Sequence, residues 1–67
     1  MSQAECIEIL KSHNRWMTTR EIAKISMAQL GSTARALRIL VYHKEITMKK
    51  KKIGNYNLNI YKIYNEG

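Results

Sequence analysis

The 67-residue chain has no proline, only three glycines and a single cysteine. Such a composition suits a few well-formed elements joined by short turns. The lone Cys6 excludes an intramolecular disulfide. A zinc site needs several Cys or His ligands, and His13 and His43 stand far apart with no CxxC or HxxxH spacing, so no metal ligand set is legible. No apolar run approaches the ~18 residues of a membrane span. The opening MSQAECIEIL lacks the basic start and apolar stretch of a signal peptide. The chain is therefore expected to stay where it is made, in the reducing cytoplasm. Acidic residues are scarce as well. Five Asp and Glu stand against twelve Lys and Arg, a formal charge of +7. That excess points to a polyanionic partner, with nucleic acid first and an anionic membrane surface second. Catalysis is not expected, because no nucleophile, base and orienting residue fall into a credible set and no glycine-rich phosphate loop is present.

What is present fits one small domain, expected to span 1–67, with a thin core. At 45% hydrophobic residues the chain is not compositionally disordered. Residues 2–14 read as a helix that opens on a Ser2/Glu5 capping box and stops at Asn14. Its inward face carries Cys6, Ile7 and Leu10. Residues 15–18 form a short extended segment in which Trp16 or Met17 covers the core edge. A second capping box, Thr18 with Glu21, opens a short helix over 19–26 with Ile22, Ala23 and Ile25 as its buried face. A third helix is expected over 29–44. Thr33, Ala36, Leu37, Leu40 and Val41 make its apolar stripe, and Gly31, Arg35, Arg38 and Tyr42 a continuous ridge on the opposite side.

After Ile46 the period changes from helical to alternating, and residues 46–64 read as a hairpin around Gly54-Asn55. The lysine run Lys49–Lys52 therefore lies on a strand leading to the hairpin tip. Two registers are open. A two-residue turn, slightly preferred, pairs Ile46 with Ile63 and Met48 with Tyr61, and leaves Leu58 and Ile60 on the other face beside Lys51 and Lys49. A five-residue loop over 53–57 would bring Leu58 and Ile60 onto the face of Ile46 and Met48.

The stretch TTREIAKISMAQLGSTARALRILVYHKEI resembles the helix-turn-helix core of winged helix DNA-binding proteins. Glu21-Ile22-Ala23 match the family's x-E-I-A opening. Leu37-Arg38-Ile39-Leu40 match its L-x-x-L, fifteen residues after Ile22. The following hairpin looks like the wing, so the resemblance covers nearly the whole chain. It departs at two places: Ser26-Met27 stand where the turn usually has a glycine, and Glu45 stands where a glycine often precedes the wing strand. The resemblance implies an α+β winged helix-turn-helix fold: three helices, a short strand and a C-terminal two-stranded wing. It is strongest to minimal one-domain transcription regulators of archaea, bacteria and their viruses or plasmids, which carry no sensor domain and so imply no small-molecule ligand.

The physics agrees with that reading. A helix fits the major groove of B-form DNA, where each base pair shows a distinct donor and acceptor pattern. Gly31, Ser32, Arg35, Arg38 and Tyr42 on the third helix are the candidates to enter it, with Gln29 at its start. Arg35 and Arg38 suit bidentate contacts to guanine, and Gly31 permits close approach of another backbone. Thr19 and Arg20 flank a helix start whose free N–H groups favour a phosphate. Lys49, Lys50, Lys51 and Lys52, with Asn55 and Tyr56 at the tip, are expected along the DNA backbone or minor groove, giving affinity more than sequence choice. The same lysines also protect a strand edge from aggregation. The expected partner is double-stranded DNA, bound by a monomer or a homodimer, and the expected role is transcription regulation. The alternatives are a winged helix protein-interaction module in a larger assembly and a shape-specific binder of RNA or a non-B duplex.

Overall fold

The computed structural model describes residues 2–64; the ends of the expected 1–67 span lie outside the described residues. The chain runs α1 (Gln3–His13), β1 (Met17–Thr18), α2 (Thr19–Ser26), α3 (Leu30–Tyr42), β2 (Ile46–Ile53) and β3 (Tyr56–Ile63). The strands form one antiparallel sheet in the order β1-β3-β2. Three helices against a small sheet that projects as a hairpin make a winged helix-turn-helix fold.

Local signals start each helix. The Ser2 hydroxyl accepts the Glu5 N–H at 3.3 Å, and the Glu5 carboxylate returns to that same hydroxyl at 3.4 Å. Thr18 and Glu21 close a full box: the Thr18 hydroxyl accepts the Glu21 N–H and the Glu21 carboxylate accepts the Thr18 N–H, both at 3.1 Å. The start of α3 is plainer. Gln29 makes no side-chain cap, and its carbonyl instead accepts the hydroxyls of Ser32 and Thr33.

All three helices stop on a left-handed residue, and none of these is glycine: Asn14 (φ 46°), Met27 (φ 57°) and Lys44 (φ 59°). After α2 the N–H of Ala28 reaches the carbonyl of Ala23 at 3.0 Å, and after α3 that of Glu45 reaches Leu40 at 3.0 Å. Both are Schellman-type closures, a geometry that favours glycine at the left-handed position. α3 thus ends at Tyr42, short of the expected 44, because Lys44 has left the helical region. The left-handed position before the wing is Lys44 and not Glu45.

The core gathers Cys6, Leu10, Met17, Ile22, Ala36, Leu37, Leu40, Ile46 and Tyr61, with Ile7, Ile9, Val41 and Ile63 packed at its margin. Burial pushes the Cys6 thiol pKa up, with the Glu5 carboxylate adding to it, so Cys6 sits there as a neutral small hydrophobe. Met17 is the member of the 15–18 segment that enters the core. Ile25, expected on the buried face of α2, is 46% exposed. At about 100° per residue it lies well off the arc shared by Ile22 and Ala23, whereas Ser26 falls within that arc. The Ser26 hydroxyl is accommodated there by donating to the carbonyls of Ile22 and Ala23.

The hairpin adopts the two-residue turn. Ile53 pairs with Tyr56, Met48 with Tyr61 and Ile46 with Ile63. Gly54 has φ +59° and Asn55 does not share a positive φ, the pattern of a II′ turn with glycine first. Of β2 only Ile46 is buried, so the strand leaves the body at once and the lysines stand in solvent.

Candidate nucleic-acid interface

The outer face of α3 follows from its inner one. Thr33, Ala36, Leu37 and Leu40 are held in the core, so the helix cannot turn without exposing them. Gly31, Ser32, Arg35, Arg38 and Tyr42 are therefore fixed outward, and all five are exposed. Among the described residues the one ion pair joins Arg15 to Glu21 at 3.1 Å, so no carboxylate neutralises Arg35 or Arg38. Tyr42 stands 82% exposed with its ring edge-on to His43 at 5.4 Å. A Cβ built on Gly31 would meet nothing within 4 Å, and its backbone is helical. Glycine there costs about 1 kcal/mol of helix stability against alanine, and no contact within the chain requires it. Gln29 is exposed at the head of the helix, its side chain not engaged in capping, while the Ser32 hydroxyl is turned back onto the Gln29 carbonyl.

A second set surrounds the start of α2. Thr18, Thr19, Arg20 and Leu30 form one wall of a groove of about 710 Å³, and Tyr56, Asn57, Leu58 and Asn59 of β3 form the other. It exists because β1 has only two residues and pairs with β3 only at Ile60 and Tyr61. Beyond that point the β1-side edge of β3 is unpaired, and its N–H and C=O groups border the groove. The Glu21 carboxyl pKa is held below the usual carboxylate range, chiefly by the hydrogen bond from the Thr18 N–H and then by Arg15. A charged Glu21 locks the start of α2, and with it the wall bearing Arg20.

The fold thus joins Thr19, Arg20 and Tyr56 across one groove, and Gly31, Ser32, Arg35, Arg38 and Tyr42 along one ridge. It divides the lysine run. Lys50 and Lys52 share the face of Ile46 and Met48, toward the helices, while Lys49 and Lys51 take the opposite face with Ile60 and Leu58. Asn55 is exposed in the tip turn. Sequence reading did not single out Leu30, Asn57 or Asn59. The asparagines carried a signal, since they alternate with Tyr56, Leu58 and Ile60 on a strand too polar on one face to be core. Leu30 carried none.

No protein-family model matches the chain. No curated protein matches it in sequence. Among solved structures the fold is similar to that of a protein described as a possible transcriptional regulator from Methanosarcina mazei Go1. The TM-score is 0.86 at 18% identity, over 98% of this chain and 58% of that one. This chain therefore spans somewhat more than half the length of its structural neighbour. At that identity the likeness establishes the fold. Among the described residues there is no group of three or more His, Cys, Asp or Glu able to hold a metal ion, and no helix long and apolar enough to cross a membrane.

Proposed function

We propose that this chain is a sequence-specific double-stranded DNA-binding protein that regulates transcription. α3 enters the major groove, and the lysine-bearing wing lies on the backbone or minor groove. The observation that carries the reading is the exposed ridge of α3: two un-neutralised arginines preceded by a glycine that nothing in the chain requires. Arg35 and Arg38 read base edges, Gly31 lets the helix approach the duplex closely, and Gln29, Ser32 and Tyr42 extend the contact. Thr19 and Arg20 hold a phosphate at the start of α2, and Lys50 and Lys52 of the wing reach the backbone on the same side. The described fold of the M. mazei protein, a possible transcriptional regulator, is consistent with this role.

The protein is cytoplasmic on this reading, is not an enzyme and uses no cofactor. A monomer makes few base contacts, so a homodimer on a two-fold site is the arrangement we favour. On the outer face of the hairpin Leu58 is partly buried and Ile60 only 7% exposed, so that face offers such a dimer little apolar area.

A second reading, a protein-docking module, rests on Ile25 and Met27, which are 46% and 93% exposed near the end of α2. Selection from a random duplex pool at several salt concentrations separates the two. An enriched motif, with log K falling by about 0.9 per phosphate contact against log salt, supports DNA recognition. Absence of any duplex binding at low salt overturns it.

A further inference from the structure

The sheet has a second basic face that the reading above does not use. Successive strand residues point to opposite sides. Ile46 is buried under the helices, so Thr47, Lys49, Lys51 and Ile53 of β2 point away from them. Their partners on β3 are Lys62, Ile60, Leu58 and Tyr56. The Lys49 amine lies 4.4 Å from the centroid of the Trp16 ring, which puts Trp16 on this face too. The result is a floor of Trp16, Ile60 and Leu58 with Lys49, Lys51 and Lys62 standing around it. Neither strand carries an acidic residue, and among the described residues none of these lysines forms an ion pair.

This row is not simply the wing tip seen from behind. Lys62 lies opposite Thr47, at the far end of the hairpin from Gly54-Asn55. At about 3.3 Å per residue it is roughly 25 Å from the turn. A minor groove about 6 Å wide admits the tip of a ribbon but not its base. Lys49 and Lys62 therefore stand outside any groove the tip occupies, on the side of the sheet opposite the helices. Lys49 is also held in place, since its amine rests on an indole face instead of ranging through solvent. Lys49 and Lys51 are about 7 Å apart along the strand, so both can reach the same run of backbone phosphates.

We propose that this back face, Lys49, Lys51 and Lys62 beside Trp16, binds the phosphate backbone of a second DNA duplex, so that one molecule bridges two DNA segments. The chemistry is charge complementarity without base reading: three point charges on a flat floor suit a regular polyanion of any sequence. The bridging activity rests on the first duplex being held by α3.

The test uses one duplex fixed to beads, a second fluorescent duplex in solution, and the full chain at low salt. Binding of a single duplex is measured separately by anisotropy. Wild type is expected to capture the second duplex. Lys49→Gln/Lys51→Gln/Lys62→Gln is expected to lower capture by at least about tenfold while single-duplex affinity, measured at about 0.15 M salt where remote charges are screened, stays within about threefold. Should that variant melt early, Lys51→Gln/Lys62→Gln spares the Lys49–Trp16 contact and carries the same expectation. Capture that survives the substitutions overturns the proposal and assigns bridging to a dimer presenting two α3 helices. An equal loss of single-duplex affinity and capture also overturns it, because all the lysines would then grip one duplex. If wild type binds a single duplex but captures no second one, the proposal fails and the α3 reading stands. If it binds no duplex at all, both fail.

Discussion

The helical body and the hairpin treat their side chains differently. In the body the inward faces of α1 and α3 have a place in the core: Cys6, Leu10, Leu37 and Leu40 are fully buried. In β2 a single residue of eight is buried, and the strand continues into solvent as four lysines. The outer ridge of α3 belongs with the hairpin in this respect. Among the described residues Arg35 and Arg38 form no ion pair, and Gly31 works against the helix. Positions with no return inside the chain are where a partner is to be sought, and here they fall on the ridge and the wing.

The sharpest contrast is between Leu37→Ala and a change on the wing. Leu37 is fully buried at the centre of the core, and its truncation is expected to destabilise by about 2–5 kcal/mol, enough to unfold so small a domain at room temperature. Lys50→Ala/Lys52→Ala should leave the melting temperature nearly unchanged, within about 0.5 kcal/mol, and should reduce the salt slope of DNA binding by about 1.8. Thermal melts and salt titrations check both halves, and a large stability loss in the wing variant would break the comparison.

Arg35→Glu/Arg38→Glu comes next. Each arginine is expected to contribute roughly 1–3 kcal/mol to specific binding, with the melt unaffected. A smaller change divides stability from binding at a single atom. Gly31→Ala should raise stability by about 1 kcal/mol and lower affinity for the duplex. If affinity rises with stability, close approach at Gly31 is wrong.

Met27→Gly tests the fold alone. Its left-handed backbone costs a methionine about 1 kcal/mol that glycine avoids, so the variant should melt roughly 4–8 °C higher with DNA binding unchanged.

The smallest effect is pH-dependent. The folded Glu21 carboxyl titrates below its unfolded value of about 4.3. Its stabilising contribution is therefore complete above that value and is lost as pH falls through the lowered folded one. The melting difference between wild type and Glu21→Gln should accordingly be largest near neutrality and vanish toward the folded pKa. A difference independent of pH would show that the charge plays no part in the cap.

Much of this was legible in the residues because local chemistry and periodicity agree. Thr18 with Glu21 and the stripe from Thr33 to Leu40 each specify one structure, while Gly54-Asn55 left two registers open and the slightly preferred two-residue turn is the one formed. The misplaced features are those that tertiary packing decides. Ile25 looked like core because it is apolar, but it lies off the arc that Ile22 and Ala23 turn inward and is 46% exposed. The end of α3 was read late because lysine is an ordinary helix residue, and only the closure of Glu45 onto Leu40 makes Lys44 left-handed. The groove at Leu30 depends on β1 being two residues long, which no local pattern states.

A chain of 7.8 kDa permits the most direct test, amide chemical-shift mapping of the protein titrated with a DNA duplex. The account predicts the largest shifts at Gly31, Ser32, Arg35, Arg38 and Tyr42, with a second group at Thr19, Arg20 and the wing. Shifts that leave α3 untouched and gather on α1 or at Ile25 and Met27 would contradict it.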